Sequence, residues 1–148
     1  MSTAFLKFIP SDPSFVPDER SQRNVFEFLR EEFGPSEIEI KTTNHIEFVD
    51  SGENFAGVSC NLCKKKMSLE FWQNKMDSAF KNNFSDLLFK TECCQSSASL
   101  HDLVYDGPCG FARFVISIRN PDYEDQYECQ SKLEKILGTG LRQVYSRI

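Results

Sequence analysis

The sequence predicts an α+β fold: two strand–helix–strand units in series, interrupted by a cysteine-bearing insert. Three observations carry this. Apolar residues at strand spacing flank apolar residues at helical spacing in segment 1–50, and the same arrangement returns in 108–148. Between them, 51–107 is bounded by turn-forming clusters, Asp50-Ser-Gly-Glu-Asn54 and Asp106-Gly-Pro-Cys-Gly110. That middle stretch also holds Cys60, Cys63, Cys93 and Cys94, four of the six cysteines in the chain.

The elements follow in order. Phe5-Leu-Lys-Phe-Ile9 reads as a short strand closed by Pro10, and the prolines at 10, 13 and 17 stiffen the loop after it. A helix follows, capped by Asp18 or Ser21, with Val25, Phe26, Leu29 and Phe33 at helical spacing and Gly34-Pro35 as its stop. Ile38 and Ile40 alternate with Glu37, Glu39 and Lys41, and Ile46 and Phe48 carry the extended pattern to Val49. In the second unit, Phe114, Ile116 and Ile118 alternate with Arg113, Ser117 and Arg119, and Asn120-Pro121-Asp122 turns the chain. Tyr127, Leu133, Ile136 and Leu137 form an amphipathic helix that ends at Gly138, and Leu141 to Ile148 is the last strand. Two such units in series are the ferredoxin-like βαβ–βαβ plan, a four-stranded antiparallel sheet with both helices on one face.

Within the insert, Ser68 starts a helix whose stripe is Leu69, Trp72, Met76 and Phe80. Leu87 to Phe89 reads as a short strand leading into Cys93-Cys94, and Ser99 to Leu103 as a helical turn. The Trp72 stripe reads as the seam that packs this helix onto its own small core; a recognition stripe for a partner helix is the sharper alternative.

Composition narrows the function classes. The chain has 148 residues, 40% of them hydrophobic and 14 of them Phe, enough for one domain with a real core. Its net charge is −5 without a basic run, which argues against nucleic-acid binding. No stretch reaches the roughly 20 apolar residues of a membrane span. Met1 to Pro10 lacks a basic leader with a signal-length apolar run, so a cytoplasmic location is expected, where thiols stay reduced. Cysteines there favour metal ligation or inert burial over disulfides.

Cys60-Asn-Leu-Cys63 has the spacing of a zinc knuckle, which presents two sulfurs to one ion. Cys93 and Cys94 lie far enough along the chain to supply the other two, giving a Cys60, Cys63, Cys93, Cys94 site for a structural zinc. Adjacent cysteines are an awkward chelate, of which usually only one points inward; Cys109, His101 or His45 would complete the set if one missed. Buried reduced thiols and redox-active cysteines are the competing readings. Lys64-Lys-Lys66 partly offsets the charge of a four-thiolate site.

The remaining candidates read as structure. Asp50, Asp77, Asp86, Asp102 and Asp106 fit turns and caps better than paired acid–base carboxylates. His45 and His101 have no nucleophile motif beside them, and neither a P-loop nor a G-x-G-x-x-G occurs. Arg113 and Arg119 share one face of a strand and Arg142 and Arg147 take opposite faces, so a sheet open on one side carries a mixed-charge surface with Glu37, Glu39 and Lys41.

A resemblance joins these readings. Its carriers include Pro10-Ser-Asp-Pro13, Phe48-Val-Asp50-Ser-Gly52, Cys60-x-x-Cys63, Trp72 with Met76-Asp77, Cys93-Cys94, Gly110-Phe-Ala-Arg-Phe114 and Leu141-Arg142-Gln-Val-Tyr145. With these the chain resembles, over most of its length, a family of uncharacterised bacterial proteins with a zinc-ribbon-like insert. Members typically carry C-P-x-C-G and P-C-C-G, whereas Lys64 follows Cys63 and Gln95 follows Cys94 here. The resemblance implies the fold and the metal, and no activity. The residues favour a non-enzymatic interaction, adaptor or immunity-type protein with an unidentified protein partner and no membrane or nucleic acid. An enzyme using the cysteines as catalytic zinc or for thiol–disulfide exchange is the alternative.

Overall fold

In a computed structural model, which describes residues 3–121 and 126–148, the chain is built on a four-stranded antiparallel sheet. Its strands are β1 (Ala4–Pro10), β2 (Ile38–Val49), β7 (Gly110–Arg119) and β8 (Leu141–Arg147), ordered β2-β7-β1-β8. Helix α1 (Glu19–Glu32) joins β1 to β2 through a short 3-10 turn at Pro35–Glu37, and α3 (Gln126–Leu137) precedes β8. The remaining elements, β3 (Gly57–Ser59), α2 (Leu69–Phe80), β4 (Leu88–Lys90), β5 (Ser97–Ser99) and β6 (Val104–Asp106), fall between β2 and β7. No helix among the described residues is long and apolar enough to cross a membrane.

Alternation along the strands decides the main core. Leu6 and Phe8 of β1 and Phe114, Ile116 and Ile118 of β7 are fully buried, against Val25 and Leu29 of α1 and Cys129, Leu133 and Leu137 of α3. Both helices thus close over the same strand residues. Asp18 is the cap of α1: its carboxylate accepts from the Ser21 N–H at 2.7 Å, so Ser21 is a helical residue. The core stripe of α1 runs through Val25, Phe28, Leu29 and Phe33, and Phe26 lies outside it, half-buried beside Ile40. On α3, Tyr127 is exposed and Cys129 takes the buried position. Gly138 adopts the left-handed φ of +71° expected of a helix stop, its N–H donating to Glu134. Of the expected Asn120-Pro121-Asp122 turn, Asp122 lies outside the described residues.

The β2–β7 ribbon shifts register between Thr42 and Glu47, and Arg113 fills the irregularity by donating from Nε to the Thr43 carbonyl at 3.0 Å. Beyond the shift the ribbon meets a second core. There Phe48 and Phe111 pack with Trp72, Met76, Ala79, Phe84, Leu87, Leu100, Leu103 and Tyr105. Trp72 is the hub: Phe55 stacks on it at 5.4 Å, Phe48 meets it edge-on at 6.0 Å, and its Nε1 donates to the Tyr105 hydroxyl. The expected seam on α2 is therefore present but rotated, since Leu69 and Phe80 stand exposed and Ala79 replaces them. The short strand expected over 87–89 is β4, one residue on, paired with β5; the helical turn expected over 99–103 is a single turn between β5 and β6, closed by the Asp102 N–H donating to the Ser99 carbonyl, with Ser99 itself the last residue of β5.

Candidate metal centre

Two tight turns bring the four cysteines together. After β3, the Cys60 N–H donates to the Lys65 carbonyl at 2.9 Å and the Lys64 N–H to the Cys60 carbonyl at 3.0 Å, with Lys64 at φ +68°. This folds Cys60-Asn-Leu-Cys63 back so that the Leu62 N–H lies 3.4 Å from the Cys60 sulfur. Between β4 and β5 the same pattern repeats: the Thr91 N–H donates to the Ser96 carbonyl at 2.9 Å, the Gln95 N–H to the Thr91 carbonyl at 3.2 Å, and Gln95 has φ +54°. The non-glycine residues Lys64 and Gln95 thus adopt the left-handed conformation that glycine takes most readily.

Superposing the two turns by their hydrogen bonds pairs Cys60 with Thr91 and Cys63 with Cys94. Thr91 occupies the first-ligand position of the second turn, fully buried, and Cys93 contributes its sulfur from the third. The Thr91 hydroxyl lies 3.3 Å from the Cys94 sulfur and accepts from the Ser96 N–H at 3.1 Å. No spacing rule pointed to Thr91, because only the backbone pattern reveals that it stands where a cysteine would.

The four Sγ atoms all lie within 4.8 Å of one another and none is in a disulfide. Cys63 and Cys93 are 3.3 Å apart and Cys60 and Cys94 3.9 Å. Metal–sulfur bonds of about 2.3 Å in a tetrahedron set sulfur–sulfur edges of about 3.8 Å, so the donor set fits one tetrahedral ion after small adjustments. Both adjacent cysteines take part, because the turn splits them: Cys93 lies against Cys63 and Cys94 against Cys60. Cys60 is buried, and the other three are half-buried.

The environment lowers two of these thiols. Backbone N–H groups of Cys63 and then Leu62 lower the Cys60 thiol against the opposing effect of burial. Hydrogen bonds from Thr91 and then Ser96 bring Cys94 down to about 6. Cys93 moves the other way, up to about 12, chiefly through its hydrogen bond with Cys63, so the metal-free cluster holds a proton there. A cation held by Cys60, Cys63, Cys93 and Cys94 would displace that proton. Lys64, Lys65 and Lys66 are exposed around the first turn, and the Lys64 ammonium donates to the Asn61 carbonyl at 2.8 Å.

The reserve ligands lie outside the cluster. His101 is buried, its Nε2 2.9 Å from the Ser11 carbonyl and its Nδ1 accepting from the Phe111 N–H at 3.0 Å. Burial, then the charge of Arg142, pushes this imidazole down to about 4. Arg142 donates to the His101 carbonyl at 2.7 Å and to the Asp102 carboxylate at 2.6 Å, tying the turn before β6 to β8. Cys109 is buried 3.3 Å from the Ser51 hydroxyl, and burial raises its thiol. His45 lies in the irregular part of β2. Asp50 and Asp86 are turn residues, accepting from the Gly52 and Leu88 N–H groups at 3.0 Å. No protein-family model, curated protein or solved structure matches the chain.

Proposed function

We propose that the chain is a ferredoxin-like core carrying a structural zinc-ribbon-like insert over 51–107, and that it serves in the cytoplasm as a non-enzymatic interaction protein of the adaptor or immunity type. The convergence of four thiols within 4.8 Å carries this reading. Every position of a tetrahedral ion then has a protein ligand, whereas catalytic zinc keeps one for water or substrate. The order β2-β7-β1-β8 with helical connections supports the ferredoxin-like plan, and it fits the family that the sequence resembles.

The same segment supports an interaction role. Leu62 at the tip of the first turn is 51% exposed, Leu88 69% and Phe80 66%, so this segment presents apolar side chains to solvent although it has its own core. Zinc would hold these side chains on a rigid scaffold, because metal binding supplies folding energy to a piece too small to be stable alone. Thiol–disulfide exchange is the second reading, favoured by the low Cys94 thiol and the 3.3 Å approach of Cys63 to Cys93.

The deciding experiment is elemental analysis of untagged protein purified without chelator, with thiols counted before and after chelation. About one zinc per chain and four thiols unmasked by chelator are expected for a four-cysteine site. Metal-free protein with the four thiols reactive from the start would overturn the assignment, and iron at the same stoichiometry would keep the site but not the zinc. A catalytic turnover abolished by chelation while the fold persists would overturn the non-enzymatic role.

A further inference from the structure

The two edges of the four-stranded sheet are treated differently. Along the outer edge of β8, Gly52 bridges Arg147 in parallel, the Glu53 N–H donates to the Arg147 carbonyl at 2.8 Å, and the Arg147 N–H donates to the Ser51 carbonyl at 3.2 Å. Asn54 adds a side-chain bond to the Tyr145 carbonyl at 2.8 Å. That edge is closed by the chain itself. The other edge, β2, pairs with β7 on one side and with no strand on the other among the described residues. An uncovered edge is a template for another strand, and proteins commonly guard such edges with charge.

The charges on β2 alternate in sign. Glu39 and Lys41 are both exposed and flank Ile40. Read antiparallel about Ile40, the segment Ile38-Glu-Ile-Lys-Thr42 complements itself: residue 39 of one copy faces residue 41 of the other, and Ile40 faces Ile40. Lys41 also lies 3.2 Å from Glu47, and Glu39 makes no ion pair among the described residues. Beside this edge, Ile40 and Phe26 line a shallow groove with Gln22, Arg23 and Glu27. The exclusion of Phe26 from the main core thus leaves an apolar residue where a two-fold partner would bring its own Ile40.

We propose that β2 is a homodimer interface, at which two copies of this chain pair antiparallel about Ile40 to form a continuous eight-stranded sheet. Glu39 and Lys41 form reciprocal cross-strand pairs, and Phe26 with Ile40 forms the apolar seam. The surface is isologous, lies on the sheet edge opposite the Ser51–Asn54 strap, and includes none of the four clustered cysteines.

Sedimentation equilibrium of the full metal-loaded chain tests this with two variants. Wild type is expected to be dimeric at micromolar concentration. Glu39→Lys sets two ammonium groups against each other at both symmetry-related pairs with Lys41, and it is expected to raise the dimer dissociation constant by at least about tenfold. The double variant E39K/K41E restores opposite charges and is expected to recover the dimer, although it loses the Lys41–Glu47 pair. Unchanged circular dichroism and metal content establish that each variant is folded. A monomeric wild type, an E39K dimer as tight as wild type, or a double variant as weak as E39K would each overturn the pairing.

Discussion

His101 is a buried titratable side chain held from several segments at once. Both ring nitrogens are committed to backbone groups on different segments, Ser11 after β1 and Phe111 at the start of β7, while its own carbonyl accepts from Arg142 of β8. The imidazole must stay neutral, because Nδ1 accepts a hydrogen bond and Nε2 faces a carbonyl. Asp12, Asp102 and Arg142 are the charged groups that act on it, and burial dominates them. With the pKa moved from 6.5 to about 4, the neutral form contributes stability that is complete above pH 6.5 and is lost as the pH falls from there towards 4. The full loss is of the order of 3 kcal/mol from the linkage of such a shift. Denaturant unfolding of metal-loaded wild type and His101→Gln between pH 7.5 and 4.5 checks this. The stability gap between the two is expected to narrow as the pH falls, since metal release affects both alike; parallel curves would refute the role assigned to the histidine.

At the scale of elements, the repeated turn explains how an irregular cysteine pair forms a regular cluster. Thr91 holds Cys94 through its hydroxyl while closing the turn through Ser96, so it acts as an outer support for a ligand. Thr91→Val keeps the shape and removes both bonds. Its zinc affinity is expected to fall roughly ten- to a hundredfold, as for other lost ligand supports, with the zinc stoichiometry at saturation unchanged. A competition titration with a chelating dye measures it, and equal affinities would show that the hydroxyl contributes nothing. Cys60→Ser, by contrast, removes one sulfur of the proposed zinc site and should abolish stoichiometric metal; Cys129→Ser should leave it intact while costing stability, because Cys129 is wholly buried on α3. Strong local rules made much of this legible in advance: alternation in β1 and β7, the Asp18 cap, the Gly138 stop and the Cys60–Cys63 spacing. Long-range packing decided the rest. Phe28 rather than Phe26 enters the core because the sheet, not the helix, selects which side is covered. The three-residue strands β3, β5 and β6 carry too few positions for a period to appear; β3 and β6 form by pairing with each other across the insert, and β5 by pairing back on β4.

At the scale of the whole molecule, the two larger of the three apolar clusters among the described residues differ in what holds them. The sheet core is closed by α1 and α3 over Phe8, Phe114, Ile116 and Ile118, with long strands to support it. The second core rests on short two-stranded pairings, one aromatic hub at Trp72 and two turns whose sulfurs have no covalent link. A metal ion held by the four cysteines would be the cross-link such a segment lacks. The joints between the cores are Phe48 and Phe111, His101, and the Arg142–Asp102 pair, so loss of the metal should loosen 57–106 first and leave the sheet standing. Hydrogen exchange before and after chelation tests this order. Backbone amides of β3 to β6 and α2 are expected to lose at least about tenfold in protection, as sub-global opening predicts, while β1, β7 and β8 retain theirs. Uniform loss across both cores would mean that the joints transmit the instability and the chain unfolds as one cooperative unit; unchanged protection everywhere would mean that Trp72 and its neighbours hold the segment without an ion.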